Sequence, residues 1–348
     1  MARDNSLYNK SLAAFKEEII NNSYTFQSKL PPESVLAEKF NISRSTLRKV
    51  MEKLKEEGFI ESHQGSGWFV CNKSINRYIP VIIQKDSQNY RLTEIFEGTQ
   101  DFFDSIGFSS LLTLAETNPK KEIELINKLI SNGHKNFIIY PLSHNSNNVF
   151  YQKLLRKGYN CVFVDTLPEK ITCDYVTSCN FLGGYMATKK LIDLGHTDIA
   201  FCSLPSPEQA NTISERYEGY LSALEQNKIP FSESMVYIKK DMTFEEFGDY
   251  VVENLSSTAL FASTDELGLI LMKKFALSSK HPAIIGFDNT VLSSSLNMAS
   301  INQNFYEMGR TAARLLYERI INPNKSYEHI YIPVSLEERA SLTRPADI

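Results

Sequence analysis

Two patterns in the sequence predict an N-terminal winged helix-turn-helix joined to a C-terminal α/β domain of two doubly wound lobes. Residues 1–72 place helical stripes ahead of a glycine-rich hairpin, and from residue 79 onward strand-like apolar runs alternate with helix-length amphipathic segments. The chain has 348 residues, which fits a head of about 70 residues and a body of about 270, the latter long enough to bury a large core. Residues 73–78, Lys-Ser-Ile-Asn-Arg-Tyr, read as a short polar linker between them.

Within the head, Leu47, Val50, Met51 and Leu54 recur at i, i+3, i+4 and i+7 and form one buried stripe. Ser45, Arg48 and Lys49 therefore face outward, and Arg44 and Arg48 lie on the helix's N-terminal part. Asn41 or Ser43 can cap the start of this helix, whose dipole-positive end and basic residues suit entry into a major groove. Gly58 then stops it. The runs Phe59 to Glu61 and Trp68 to Val70 are aromatic and β-branched, and His63-Gln64-Gly65-Ser66-Gly67 between them supplies the small residues of a hairpin wing. Upstream, Tyr8, Leu12, Phe15 and Ile19 mark a further helix, and Pro31-Pro32-Glu33 opens a short one with Leu36 and Phe40 inward. A helical domain with a merely solvated basic face shares the Arg-x-x-x-Arg spacing. The full order of helices, outward basic residues and glycine-rich hairpin favours DNA binding.

These residues resemble the winged helix of the GntR family of bacterial regulators, whose signature runs LPSE, SR-x-T-x-R and a Gly-x-Gly wing. Here the segments read Leu30-Pro31-Pro32-Glu33, Ser43-Arg44-Ser45-Thr46-Leu47-Arg48 and Gly65-Ser66-Gly67. The resemblance implies that Arg44 and Arg48 contact DNA, that Thr46 touches backbone or base, and that Gly65 approaches the minor groove. Pro32 replaces the usual Ser, Ser34 stands where many members have a phosphate-contacting Arg, and Trp68 stands where Thr is common.

Charge is unevenly spread. Residues 1–75 hold 11 Lys/Arg against 9 Asp/Glu, while the rest hold 26 against 32. So weak a positive charge on the head makes non-specific attraction to DNA modest, and two heads per operator are expected. The sequence has no run of about 18 apolar residues and its start lacks an apolar signal core, so a cytoplasmic protein is expected. The five cysteines, at 71, 161, 173, 179 and 202, form no CxxC pair and have no histidine at zinc spacing. Reduced, mostly buried thiols are expected, with no metal and no cofactor.

In the body, strand candidates are Val81 to Ile83, Leu111 to Leu114, Phe137 to Tyr140, Cys161 to Val164, Ile199 to Cys202, Met235 to Ile238, Ala259 to Ala262 and Ala283 to Phe287. Helices separate nearly every pair, which requires parallel sheets covered on both faces. Ligands of such sheets sit at the carboxyl ends of the strands. Ser143, Asp165, Thr264, Asp265 and Asp288 all follow strand candidates. Asp165 and Asp265 read first as turn or cap carboxylates, whereas Asp288 in Gly-Phe-Asp-Asn reads as a ligand contact. Arg216 could pair with Asp288 or with a hydroxylated ligand, or be a solvated surface residue.

The order of these segments resembles the sugar-binding domain of LacI/GalR repressors and, more distantly, periplasmic binding proteins, over nearly all of residues 79–345; residues 79–348 are thus expected to be a periplasmic-binding-protein-like domain. The local matches are LIDLGHTDIAF at Leu191 to Phe201, RYEGYLSAL at Arg216 to Leu224 and IIGFDN at Ile284 to Asn289. The resemblance implies an effector site in which Arg216 and Asp288 bond ligand hydroxyls, Phe305 stacks on a sugar ring and Tyr90 lies beside the ligand. Arg91, Ser143 and Thr264 complete the expected set. Thr264 occupies a place often held by Asn, and Cys179 replaces an Asp common before Asn180. A GntR-type head on a LacI-type body resembles the arabinose-repressor group of regulators.

The expected function is a homodimeric repressor of carbohydrate-utilisation genes, released from double-stranded operator DNA by a small sugar bound between the lobes. A non-sugar or phosphosugar effector, or a corepressor, remains an alternative, and besides Arg216 only Arg91 is a candidate cation for phosphate. An enzyme fused to a DNA-binding head is a rival reading. The body is short for it, and no phosphate loop, nucleophile elbow or histidine cluster is present. A sugar-transport protein would share the body but has no use for a winged helix.

Overall fold

The computed structural model describes residues 2–20, 24, 28–63, 66–70, 78–85, 90–204, 210–239 and 242–345. The head comprises α1 (Ala2–Ile20), α2 (Glu33–Lys39), α3 (Arg44–Glu56), β1 (Ile60–His63) and β2 (Gly67–Val70). Helix α3 forms where the spacing predicts it: Leu47, Val50, Met51 and Leu54 are fully buried, and Ser43 caps its start by accepting the Thr46 amide at 3.1 Å. β1 and β2 pair antiparallel from Ile60↔Val70 to His63↔Gly67, and the chain around Lys29 adds a bridge to Phe69. Gly65 and the linker residues 71–77 lie outside the described residues; Tyr78 opens the first strand of the body.

The body crosses between two lobes three times. It begins in the first lobe with β3 (Tyr78–Gln84), α4 (Tyr90–Ser105), β4 (Ser109–Ala115), α5 (Pro119–Ser131), β5 (Asn136–Ile139), α6 (Asn148–Arg156), β6 (Asn160–Val164) and β7 (Asp174–Ser178). It passes to the second lobe with α7 (Asn180–Asp193), β8 (Ile199–Ser203), α8 (Asn211–Gln226), β9 (Val236–Ile238), α9 (Phe244–Asn254), β10 (Ala259–Ala262), α10 (Asp265–Phe275), β11 (Ala283–Asp288), α11 (Val291–Ser295) and β12 (Ala299–Asn302). It returns with α12 (Phe305–Ile321) and β13 (His329–Ile332), and crosses again into β14 (Ser335–Glu337).

The sheet orders are β13-β7-β6-β5-β3-β4 and β14-β12-β11-β10-β8-β9. All pairings are parallel except β14 on β12, so the strands of both lobes send their carboxyl ends toward the cleft. Two hydrogen bonds stitch the crossings together: Ser178 Oγ donates to the Gln303 carbonyl at 3.0 Å, and the Cys179 amide donates to the Ile332 carbonyl at 2.9 Å.

Among the described residues, the body has twelve strands rather than the eight read from sequence, and the four extra ones are β7, β12, β13 and β14. Asp-Tyr-Val-Thr-Ser, Ala-Ser-Ile-Asn, His-Ile-Tyr-Ile and Ser-Leu-Glu are short and carry polar or small residues. They sit beside the crossings, where neighbouring strands rather than apolar content hold the backbone.

Each lobe is braced by a helix pair in near-backbone contact. A Cβ on Gly184 of α7 would lie 2.1 Å from the Arg216 carbonyl of α8, and one on Gly219 would lie 2.1 Å from the Phe181 carbonyl. Gly98 of α4 and Gly309 of α12 meet in the same way, with 2.0 Å to the Tyr306 and Ile95 carbonyls. Beneath the α12–β13 connection, Arg319 forms a buried two-pronged pair with Asp174 at 2.8 and 3.1 Å, and Asp174 also accepts the Glu328 amide at 3.0 Å. The head core and the α12 side of the first lobe form one continuous apolar cluster. Among the described residues no helix is long and apolar enough to cross a membrane.

Substituting Gly184→Ala inserts a methyl group against a carbonyl that cannot retreat, because Gly219 packs beside it. We expect a loss of about 1–3 kcal/mol, the usual range for overpacking; urea unfolding that leaves the midpoint unchanged would show that α7 and α8 separate freely.

Candidate ligand cleft and outward helix of the head

The centre of the cleft is Arg216 on α8, only 3% exposed. Its position follows from the glycine contact of α7 with α8, which brings it against the first turn of α7. Nε donates to Asn180 Oδ1 at 2.9 Å and Nη1 to the Ser263 carbonyl at 2.7 Å. The guanidinium lies 3.8 Å above the Phe287 ring, and Nη1 stands 3.9 Å from Asp288 Oδ1. Asp288 Oδ1 also accepts Gln303 Nε2 at 2.5 Å. The exits of β10, β11 and β12 and the start of α7 thus converge on one buried cation.

Asp288 has a φ of +126° and Asn289 one of +56°, a conformation that non-glycine residues adopt only under constraint. Asp265 supplies the constraint. Its carboxylate accepts the Thr290 amide at 2.7 Å and the Ser300 hydroxyl at 2.6 Å, and the Ser300 oxygen accepts the Asn289 amide at 2.9 Å. Burial, and then the charge of Asp288, push the Asp265 carboxyl above the usual carboxylate range.

The first lobe answers with Asp165, which has a φ of +60° at the exit of β6. Tyr140 donates to its carboxylate at 2.9 Å, while Tyr175 and Thr177 donate to its carbonyl at 2.6 and 3.0 Å. Asn180 Nδ2 donates to Thr177 Oγ1 at 3.3 Å and ties the two faces. Glu215, beside Arg216, has its carboxyl pushed up by burial, an effect opposed by Arg216 and reinforced by Glu218 and Asp165. A ligand here meets converging acceptors, one guanidinium and tyrosines, the groups that bond hydroxyls.

The expected pairing of Arg216 with Asp288 is present. The other anticipated residues are placed differently. Thr264 is the N-cap of α10, Ser143 bonds within its own turn to Asn145 and Ser146, and Phe305 is buried in the first-lobe core cluster at the start of α12. The side chains of Tyr90 and Arg91 lie outside the described residues. Asn180, Ser263 and Gln303 were not anticipated, and Asn180 and Gln303 follow β7 and β12, strands that the apolar pattern does not reveal. Cys161, Cys173 and Cys202 are buried free thiols and Cys179 is half-buried; Cys71 lies outside the described residues.

On the head, Arg44, Ser45, Arg48 and Lys49 are exposed along α3. Ser45 and Thr46 bond to the Ser43 hydroxyl at 2.9 and 2.8 Å. Arg48 Nε rests 3.0 Å from Glu33, with 71% of its side chain exposed.

The profile described as bacterial regulatory proteins, gntR family, matches residues 7–70, and a periplasmic binding protein-like domain matches residues 188–342. The chain is a regulator with a GntR-type head and a LacI-type body. This regulator is 23% identical over 344 residues to the arabinose metabolism transcriptional repressor of Halalkalibacterium halodurans, covering 91% of this chain and 90% of that one. It is 27% identical over 312 residues to catabolite control protein A of Priestia megaterium, covering 86% and 91%. Its body superposes on a LacI family transcriptional regulator from Enterococcus faecium with bound ribose, with a TM-score of 0.66 at 27% identity, covering 78% of this chain and 100% of that one.

Replacing Asp265→Ala strips the Thr290 amide of its acceptor inside the protein and leaves the Ser300 hydroxyl only the Ile301 carbonyl at 3.5 Å. Each buried donor left unmatched costs about 1–3 kcal/mol, so denaturant unfolding should show at least that loss; a variant as stable as the parent would mean that the 288–290 turn holds itself.

Proposed function

We propose that the regulator is a homodimeric, cytoplasmic repressor whose two heads occupy the half-sites of a near-palindromic operator and whose cleft takes a neutral sugar that releases it. The observation that carries the reading is the Arg216–Asp288–Gln303 cluster facing Tyr140 and Asp165 across a hinge of three crossings. A ligand bridging those faces favours the closed lobes, and only its preference for one arrangement can bias the heads. Typical coupling of about 1–3 kcal/mol changes operator affinity roughly 5- to 150-fold. The protein acts through binding rather than through chemistry of its own.

Charge supports a neutral ligand over a phosphorylated one. Among the described residues, Asp288 and Glu215 lie beside the Arg216 guanidinium and Asp165 acts on Glu215, whereas a phosphate needs clustered cations to replace its water. The relatives named for arabinose metabolism and the similar structure with bound ribose agree with a sugar.

Dimerisation through the body is supported by apolar surface. Leu111, Leu112 and Leu114 on the edge strand β4 are 38–47% exposed, and Val291, Leu292 and Leu296 around α11 are 45–63% exposed. Exposed aliphatic groups of this density on an uncovered edge are characteristic of contact surfaces.

For the DNA-facing role we assign Arg44, Ser45, Thr46, Arg48, Lys49 and Gly65. Arg48→Ala should weaken operator binding by about 1–3 kcal/mol, and a gel-shift titration showing parental affinity would remove that side chain from the interface. For the effector we assign Arg216 and Asp288, with Tyr90, Arg91, Ser143, Thr264 and Phe305 as neighbours. Titration calorimetry with pentoses and hexoses tests the cleft: Asp288→Ala should lower sugar affinity more than tenfold while operator binding persists. A variant that binds sugar like the parent defeats the assignment.

A further inference from the structure

One end of the first lobe is strongly basic. Residues 125–164 hold five Lys/Arg and no Asp/Glu, inside a body of 26 Lys/Arg against 32 Asp/Glu. Lys128 lies in the last turn of α5, Lys153, Arg156 and Lys157 close α6, and Lys135 precedes β5. Both helices pack on the same face of the sheet, through Ile126 and Leu129 of α5 and Tyr151 and Leu154 of α6, so their carboxyl ends emerge together. The loops that follow touch: the Asn160 amide donates to the Lys135 carbonyl at 2.9 Å, and Asn160 Nδ2 donates to Asn136 Oδ1 at 2.8 Å. All five cations are exposed, and none of them forms an ion pair among the described residues. Glu124, the acid one turn before Lys128, is taken by Lys121 at 3.0 Å. The helix dipole favours a cation in the last turn, which accounts for Lys128, Lys153 and Arg156 but not for Lys135 or for the exclusion of acids from the whole segment.

This basic end adjoins the head. Glu56, Glu57 and Phe59 of the head and Lys135, Gly158 and Asn160 of the first lobe line one recess of about 260 Å³. The two acids are engaged within the head, Glu57 with the buried Lys16 at 2.6 Å and Glu56 with Lys53 at 3.1 Å, so they leave the patch its charge. The head itself is nearly neutral, with 11 Lys/Arg against 9 Asp/Glu in residues 1–75. The stronger footprint for a polyanion therefore stands on the body, about 18 Å along α3 from Arg44.

We propose that this end of the first lobe is a second, sequence-independent DNA contact: the duplex flanking each half-site curves toward the body and lays its phosphates on Lys128, Lys135, Lys153, Arg156 and Lys157. Base reading stays with α3, and the patch adds affinity by displacing counterions from the flanks. Bending the flank costs elastic energy that the added phosphate contacts offset. The inference rests on reading α3 as the helix that enters the groove.

The test uses the full chain and a duplex that it selects from a random pool, prepared with flanks of roughly three helical turns on each side and again with the flanks cut away. Fluorescence anisotropy over a series of KCl concentrations reads affinity and its salt slope. The triple variant Lys135→Gln, Arg156→Gln, Lys157→Gln should bind the flanked duplex about tenfold or more weakly than the parent, with a salt slope flatter by about 2 or more, and should match the parent on the trimmed duplex within about twofold. The charge-preserving set Lys135→Arg, Arg156→Lys, Lys157→Arg should keep the parental slope, which a role confined to helix-end packing does not predict. If the triple variant does not fold, Lys135→Gln in its exposed loop decides alone by the same slope. A parental slope in the Gln variants, or equal weakening on both duplexes, would overturn the flank contact and leave the head's role intact. Failure to select any sequence would overturn both.

Discussion

The body depends on one buried guanidinium. Removing Arg216 from water is costly, and the cost is met only because a side-chain amide, a backbone carbonyl, an aromatic face and a carboxylate all reach it. Those partners come from α7, β10 and β11, and Asp288 passes the constraint to Gln303 at the second crossing. The charge therefore does more than wait for a ligand: it fixes the relation of the second lobe's strand exits to the hinge. In the proposed site, a ligand that bonds Arg216 or Asp288 would compete within this network and so gain leverage on the crossings.

The glycine contacts explain why such a network can form in each half of the molecule. Helices α7 and α8 approach until only Gly184 and Gly219 fit between their backbones, and this closeness brings Arg216 within reach of Asn180. Helices α4 and α12 repeat the arrangement in the first lobe. Each lobe is thereby braced from within, and the proposed switch would move the lobes about the three crossings, where Ser178 bonds Gln303 and Cys179 bonds Ile332. Braced lobes on a stitched hinge favour two discrete arrangements over gradual deformation, as a switch requires.

Carboxylates in the cleft have separate duties. Asp265 is enclosed by the Thr290 amide and the Ser300 hydroxyl and shapes the turn that aims Asp288. Asp165 uses its own strained backbone and two tyrosines to present a carboxylate from the opposite wall. Glu215 lies between a cation and these acids. Strain at Asp288 and Asp165 sits where a ligand would be gripped, in keeping with the tendency of sparsely populated backbone conformations to gather at functional positions.

Local periodicity made the head readable: the stripe Leu47, Val50, Met51, Leu54 and the cap at Ser43 involve residues within one helix, so sequence alone determined α3 and its outward basic face. The same holds for the apolar strands Ile199–Ser203 and Ala259–Ala262, whose burial on both faces is written in their composition. Strands β7 and β12 were hidden because their backbones are held by neighbours rather than by apolar side chains, and Asn180 and Gln303, which follow them, were hidden with them. The pairing of Arg216 with Asp288 was legible, but only the tertiary structure decided what else meets Arg216. Asn180 is 36 residues from it and Ser263 is 47 residues from it, and no spacing rule links positions that become neighbours only through the crossing of two helices and the exits of parallel strands.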